Sequence, residues 1–128
     1  MDRYVNYNAN PKSKRVGDCV VRAISLLLDQ AWEYTYCGIV VKGYELYDMP
    51  SSNAVWGAYL RSNGCERYPI PNTCPDCYTV KQFCEDHPQG KYLLCLNGHV
   101  VAVIDGRYYD TWDSGEEIPI YYWEKKGD

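Results

Sequence analysis

Long apolar runs are absent from this chain. The most apolar stretch, Leu26 to Leu28 with its neighbours, falls far short of the ~20 residues a bilayer crossing needs. Met1-Asp2-Arg3-Tyr4 opens the sequence without the apolar segment of a secretory signal. The expectation is a cytoplasmic protein that does not enter a membrane. Basic clusters are scarce too. Lys12-Ser13-Lys14-Arg15 is one short run against a net charge of −4. A surface that tracks phosphates needs clustered Lys and Arg, so nucleic acid is not an expected partner. Phenylalanine occurs once, against 14 Tyr and 4 Trp. Those rings combine apolar area with a hydrogen-bonding tip, and suit half-buried groove walls as well as a sheet core. Repeats, low-complexity tracts and internal linkers are missing. At 128 residues the chain reads as one domain, 1–128, able to bury roughly two-thirds of its unfolded surface.

Cysteine is plentiful, at seven, but the number is odd. In a reducing compartment thiols stay free, so these residues read as nucleophile, metal ligands or core packing and not as a disulfide framework.

Residues 1–18, rich in Asn, Pro, Lys and Gly, read as an irregular arm. Val20, Ala23, Ile24, Leu27 and Leu28 then repeat at helical spacing, which predicts a helix with one buried stripe, capped by Asp18 and carrying Cys19 in its first turn. A second helix is expected within Trp32 to Val41. A third is expected over Asn53 to Asn63, capped by Ser51 or Ser52 and stopped by Gly64. The Pro- and Cys-containing segment 65–78 reads as loop, and Thr79 caps a short helix through Glu85. The last third turns to β: Lys91 to Leu96, His99 to Ile104, Arg107 to Trp112 and Ile118 to Trp123. Asp105-Gly106 between two of these runs signals a tight hairpin. Helices first and an antiparallel sheet afterwards make an α+β domain.

Three residues in this layout carry chemistry. A thiol at a helix start sits at the positive end of the helix dipole, which favours the thiolate. The unpaired N–H groups there can also receive a developing oxyanion. The alternative for Cys19 is a small core residue, but polar Gly17-Asp18 precede it and the apolar stripe begins only afterwards. His99 opens an otherwise apolar strand. With a two-residue turn at 105–106, Ile104 pairs with Arg107, and residues 99, 101, 110 and 112 share one face. Asp110 then lies diagonal to His99, where a carboxylate orients an imidazole and stabilises its charged form. Asp113 has the wrong parity and needs a bulge to reach His99.

A helix-borne Cys, a His opening a strand and an acid on the next strand resemble, in that order, the papain-like cysteine peptidases. Gly17-Asp18-Cys19-Val20-Val21-Arg22-Ala23-Ile24-Ser25 is similar to the nucleophile motif of OTU-type deubiquitinases. It departs from that motif in having Val16 where they carry Asp, and in lacking an Asn soon after the His. His99 to Asp110 resembles the hairpins of NlpC-type and SUMO-peptidase-type enzymes. The chain also resembles short proteins of gut bacteria and their phages. The resemblance implies a papain-like fold, a thiol hydrolase acting on a protein or peptide substrate without a cofactor, and Cys19, His99 and Asp110 as a triad. It further implies an oxyanion side chain a few residues before the nucleophile: Asn10 is the choice, with Asn8 and the poorly matching Ser13 beside it. The same apparatus serves acyl transfer to an amine, and an inactive interaction module could keep the fold. Cys65, Cys74, Cys77, Cys84 and His87 form a rival cluster with one Cys-x-x-Cys. Their other spacings match no common zinc ribbon, so buried inert thiols are expected there and no metal.

Overall fold

The helical stripe and the β runs take their places in the computed structural model, which describes residues 2–71 and 77–127. The elements are β1 (Tyr4–Asn6), α1 (Cys19–Leu27), α2 (Trp32–Leu46), α3 (Asn53–Ser62), β2 (Cys65–Pro69), α4 (Val80–Asp86), β3 (Lys91–Leu96), β4 (His99–Ile104), β5 (Arg107–Asp110) and β6 (Tyr121–Lys125). They form an α+β domain around one sheet ordered β1-β5-β4-β3-β6-β2, antiparallel throughout except for the parallel β1–β5 pair.

Both faces of the sheet are covered, which is why β3 after Lys91 and β4 after His99 run on without a charged residue. On one face Ile24, Leu27, Ile39, Val55 and Leu60 from the first three helices pack on Leu93, Cys95, Val100, Ala102 and Trp123. On the other, Val80, Phe83 and Cys84 of α4 pack on Leu94, Leu96, Val101, Val103 and Tyr108. A buried polar relay ties the helices together: Ser25 Oγ and Gln30 Nε2 donate to Thr35 Oγ1 at 2.8 and 2.9 Å, and Gln30 also reaches the Tyr59 hydroxyl at 2.8 Å.

Two hairpin turns set the register that matters. Asp105 and Gly106 both take positive φ, 49° and 78°, the geometry of a tight two-residue turn, and Ile104 pairs with Arg107. Asn97-Gly98 joins β3 to β4 with Leu96 opposite His99, and Gly98 supplies the left-handed φ of 73°. His99 is thereby the first residue of β4 and Asp110 the last of β5, at the same end of neighbouring strands.

Several elements differ from the sequence reading. Strand β2 occupies what reads as loop: it is an edge strand on β6, where Pro69 can close the strand without costing the sheet an interior bond. Strand β1 pairs with β5, about a hundred residues away, and carries no local signal. Helix α2 runs five residues past Val41 to Leu46 and stops at Tyr47, whose φ is 54°. Strand β5 ends at Asp110 and not at Trp112, because the Asp110 carboxylate takes the Thr111 N–H at 2.8 Å. Strand β6 begins at Tyr121 and not at Ile118, beyond Pro119, which has no N–H to give a ladder.

The cysteine reading also needs correcting. Cys77 is disulfide-bonded, whereas all seven thiols were expected free; Cys74 lies outside the described residues. Cys65 and Cys84 are buried in the two opposite cores, and burial pushes their thiols up to about 11 and about 12. His87 stacks on Phe83 with ring centres 3.8 Å apart. Among the described residues no helix is long and apolar enough to cross a membrane.

Leu93 is fully buried on the central strand β3. Leu93→Ala should lower the unfolding free energy by about 2–5 kcal/mol, against about 0.5 kcal/mol or less for Ile118→Ala on the surface. Urea denaturation at constant m-value is the measurement.

Candidate functional site

Cys19 is the first residue of α1, and Asp18 flanks it. Asp18 does not cap the helix with its side chain, contrary to expectation. Its buried carboxylate instead accepts from Trp32 Nε1 at 3.0 Å, from Asn10 Nδ2 at 3.4 Å and from the Arg22 guanidinium one turn on. A charged donor is a stronger partner for a buried carboxylate than a helix N–H. The consequence is chemical: the first-turn N–H groups of α1 carry no side-chain cap at the end where the Cys19 sulfur lies.

His99 approaches from the start of β4. Its Nε2 stands 2.7 Å from Asp110 Oδ2. The Cys19 thiol hydrogen-bonds the same ring, and the Val100 N–H also points to the sulfur. With Nε2 engaged by Asp110, Nδ1 is the nitrogen left for Cys19. By parity His99 follows Val101 and Val103 towards the α4 face, whereas α1 lies on the other face. The two meet because both stand at the end of the sheet and not over its middle. The Trp112 ring lies against His99 in a tilted arrangement, with ring centres 5.0 Å apart and an interplanar angle of 35°.

Asp110, 3% exposed, is the most heavily tied residue of the group. Ser114 Oγ donates to its Oδ2 at 2.8 Å, the Thr111 N–H to Oδ1 at 2.8 Å, and Arg22 Nη2 lies 3.7 Å from Oδ1. Its carbonyl accepts from the Tyr7 N–H at 2.9 Å and the Tyr4 hydroxyl at 3.3 Å. Arg22 thus bridges Asp18 and Asp110, and a continuous polar chain runs from Trp32 and Asn10 through Asp18, Arg22 and Asp110 to His99 and Cys19.

These contacts set the protonation of the pair. Burial alone opposes a charged imidazole, but the hydrogen bonds to Asp110 and Cys19 and their negative charge outweigh it, raising His99 to about 9. Burial likewise opposes the Cys19 thiolate. The hydrogen bonds from His99 and the Val100 N–H, with the charges of His99 and Arg22, prevail and hold the thiol below its ordinary value. The two shifts share one source, the hydrogen-bonded Cys19–His99 contact, which favours the thiolate and the imidazolium.

The remaining candidates fall elsewhere. Asp113 accepts from the Tyr108 hydroxyl and from the Gly115 N–H at 3.0 Å. The Tyr108 bond holds its carboxyl below the usual range. Asn10 donates from Nδ2 to Asp18 at 3.4 Å, and its Oδ1 accepts the Lys12 N–H at 2.9 Å. Asn10, the expected oxyanion side chain, is a buried residue whose amide supports Asp18, the neighbour of Cys19. Asn8 donates to the Lys14 carbonyl at 3.1 Å, and Ser13 occupies a left-handed turn. The sequence reading missed Arg22, Ser114, Trp32 and Trp112 as parts of the site. Arg22 had a signal, its i+4 spacing from Asp18; Ser114 had none.

The sulfur and imidazole open into a cleft of about 400 Å³ walled by Val20, Asn53, Trp56, Leu96, Ile120 and Tyr121. Cys95 also lines it, and burial pushes its thiol up to about 12. Among the described residues that wall the cleft there is no carboxylate or amine side chain. Among the described residues no group of three His, Cys, Asp or Glu side chains is placed to hold a metal ion. No family model, curated protein or solved structure matches the chain.

Iodoacetamide at mildly acidic pH should alkylate Cys19 ahead of the free thiols Cys37, Cys65, Cys84 and Cys95, as read by peptide mass spectrometry. The rate should follow thiolate formation at a pH below the ordinary thiol value, because imidazolium His99 holds the thiolate. Replacing His99 by Ala removes that charge and should move the profile to higher pH. An unmoved profile would show that His99 does not govern the thiol.

Proposed function

We propose that this chain is a cysteine hydrolase of papain-like architecture acting on an amide or isopeptide bond through Cys19, His99 and Asp110. The observation that carries the proposal is the unbroken series of contacts from the Asp110 carboxylate, through His99 Nε2 at 2.7 Å, to the Cys19 thiol at a helix start that opens into a cleft. A nucleophile held by a base, itself oriented by a third group, is the shared logic of covalent acyl transfer.

In this reading the Cys19 thiolate attacks the substrate carbonyl carbon, and the carbonyl π electrons move to oxygen. The first-turn N–H groups of α1 receive that oxyanion, since Asp18 leaves them without a side-chain acceptor. Imidazolium His99 gives its proton to the leaving nitrogen as the C–N bond breaks, leaving a thioester on Cys19. His99, now neutral, takes a proton from water, whose oxygen attacks the thioester. The acid departs and the thiolate returns. An amine in place of water would complete acyl transfer by the same steps. Asp110 keeps its charge throughout; it fixes the ring and stabilises each imidazolium state. Arg22 holds Asp110 and Asp18 in place without reaching the reacting atoms. The cleft, apolar with neutral amide and hydroxyl groups, suits a peptide segment.

A peptidyl vinyl sulfone should label Cys19, and a fluorogenic peptide library should be turned over by the wild type. Cys19→Ala should abolish both reactions. Asp110→Asn should lower turnover by roughly 100-fold or more while the fold persists. Asp113→Asn should leave turnover near wild type and cost about 1 kcal/mol of stability through the lost Tyr108 bond. The reverse ranking of the two aspartate variants would contradict the assignment of Asp110. Across pH, turnover should rise as Cys19 ionises and fall as His99 loses its proton near about 9.

A further inference from the structure

Past Tyr121 the cleft leads towards the edge strand β2. The register sets Val100, Cys95, Tyr121 and Pro69 in one row across β4, β3, β6 and β2. Cys19 takes the Val100 N–H at one end of that row, and Tyr121 is part of the cleft wall. Arg67, two residues before Pro69, lays its guanidinium over the Tyr121 ring, with Cζ 4.2 Å from the ring centre. Arg61, in the last turn of α3, lies over Trp123 at 5.1 Å. Both line an open groove of about 510 Å³ together with Cys65, Glu66 and Pro69.

The charge in this groove is of one sign. Both arginines are exposed, and among the described residues neither has a carboxylate partner. The two acids of the β2–β6 pair are engaged on the other face. Glu66 accepts from the Tyr68 hydroxyl at 2.7 Å, and Glu124 pairs at 2.9 Å with Lys126, whose ammonium lies over Tyr68. Tyr68 in turn stacks on Tyr122, which meets Phe83 of α4. Helix α3 contains no acid. A ring contact holds a guanidinium in place without using its N–H donors, which stay available to a ligand.

We infer that this groove is a subsite for a carboxylate of the substrate, so that the enzyme prefers peptides with an acidic group on one side of the scissile bond; the inference builds on the hydrolase reading. The planar fork of arginine matches a carboxylate through two parallel N–H···O bonds. Two forks on one groove favour an acidic group and repel a basic one. From β4 to β2 is three strand spacings, roughly 14 Å. An extended peptide spans that distance in about four residues. The uncharged cleft wall faces the residues between.

Binding to Cys19→Ala, read by fluorescence anisotropy, tests the groove without turnover. Labelled decapeptides, amidated and neutral but for one Glu placed at each position in turn, should include one that binds more tightly than the all-neutral peptide. Lys at that position should weaken binding. The difference should shrink between about 50 and 500 mM salt. Arg67→Gln and Arg61→Gln should each weaken the best Glu peptide about threefold, and the double variant about tenfold. Replacing both by Glu should turn the preference towards Lys, which a purely structural role would not do. Arg107→Gln, an exposed arginine on β5, should change nothing. A neutral peptide with a free C-terminus that binds more tightly than its amide would place the chain-end carboxylate in the groove. In turnover by the wild type, the best Glu should lie about four residues from the cleaved bond, on one side only. Equal binding of the Glu and neutral peptides at low salt would overturn the inference, as would a Glu preference that survives the double variant. A Glu preference without any turnover would sink the hydrolase reading alone and leave a carboxylate-binding groove.

Discussion

The buried Asp110 carboxylate is the constraint around which the rest of the structure is arranged. An ionised carboxylate out of water is costly unless charge and hydrogen bonds compensate it. Here the compensation comes from four parts of the chain: Arg22 on α1, His99 on β4, Ser114 in the loop after β5, and the adjoining Thr111 N–H. Its backbone carbonyl meanwhile holds β1 through Tyr4 and Tyr7. The group that orients the imidazole therefore also stitches the N-terminal arm to the sheet edge and locks α1 to β5. Under the proposed reading, Asp110→Asn removes the charge and keeps the shape, so its effect falls on the chemistry while the fold persists. Replacement by a residue of similar shape is the informative change, and truncation is not.

Arg22 extends this constraint to the thiol. It stands between two buried carboxylates and contributes to holding the Cys19 thiolate. The helix N-terminus is then left free by an indirect route. Asp18, which would otherwise cap the first turn, is committed to Arg22, Trp32 and Asn10. A local preference yields to a charge-assisted network, and the result is a helix end without a side-chain cap beside a thiol, which in the proposed reaction receives the oxyanion. Asn10 belongs to the same network, donating from its amide to Asp18.

Local patterns made much of this legible. The stripe of α1, the caps at Ser52 and Thr79, and the Asp105-Gly106 turn each depend on residues close in sequence, and each places its element. The hairpin parity relating His99 to Asp110 follows from that one turn, and the 2.7 Å contact lies where the parity puts it. What was illegible depends on distant partners. Strand β1 exists because β5 offers an edge, and β2 because β6 does; neither tripeptide nor pentapeptide declares this alone. Ser114 reaches Asp110 only because the chain bends after β5. The disulfide at Cys77 ran against an argument from compartment, which speaks to where thiols persist and not to which side chains come together.

The charged state of the Cys19–His99 pair is the point on which the account stands most directly. With only two histidines in the chain, nitrogen-15 NMR of the imidazoles, assigned with a His87→Gln variant, reads it without any substrate. The account predicts that both His99 nitrogens stay protonated at neutral pH and lose a proton only near about 9, with that titration moved to lower pH in Cys19→Ala. A neutral His99 titrating near about 6.5, the value of a free imidazole, and indifferent to Cys19 would contradict it.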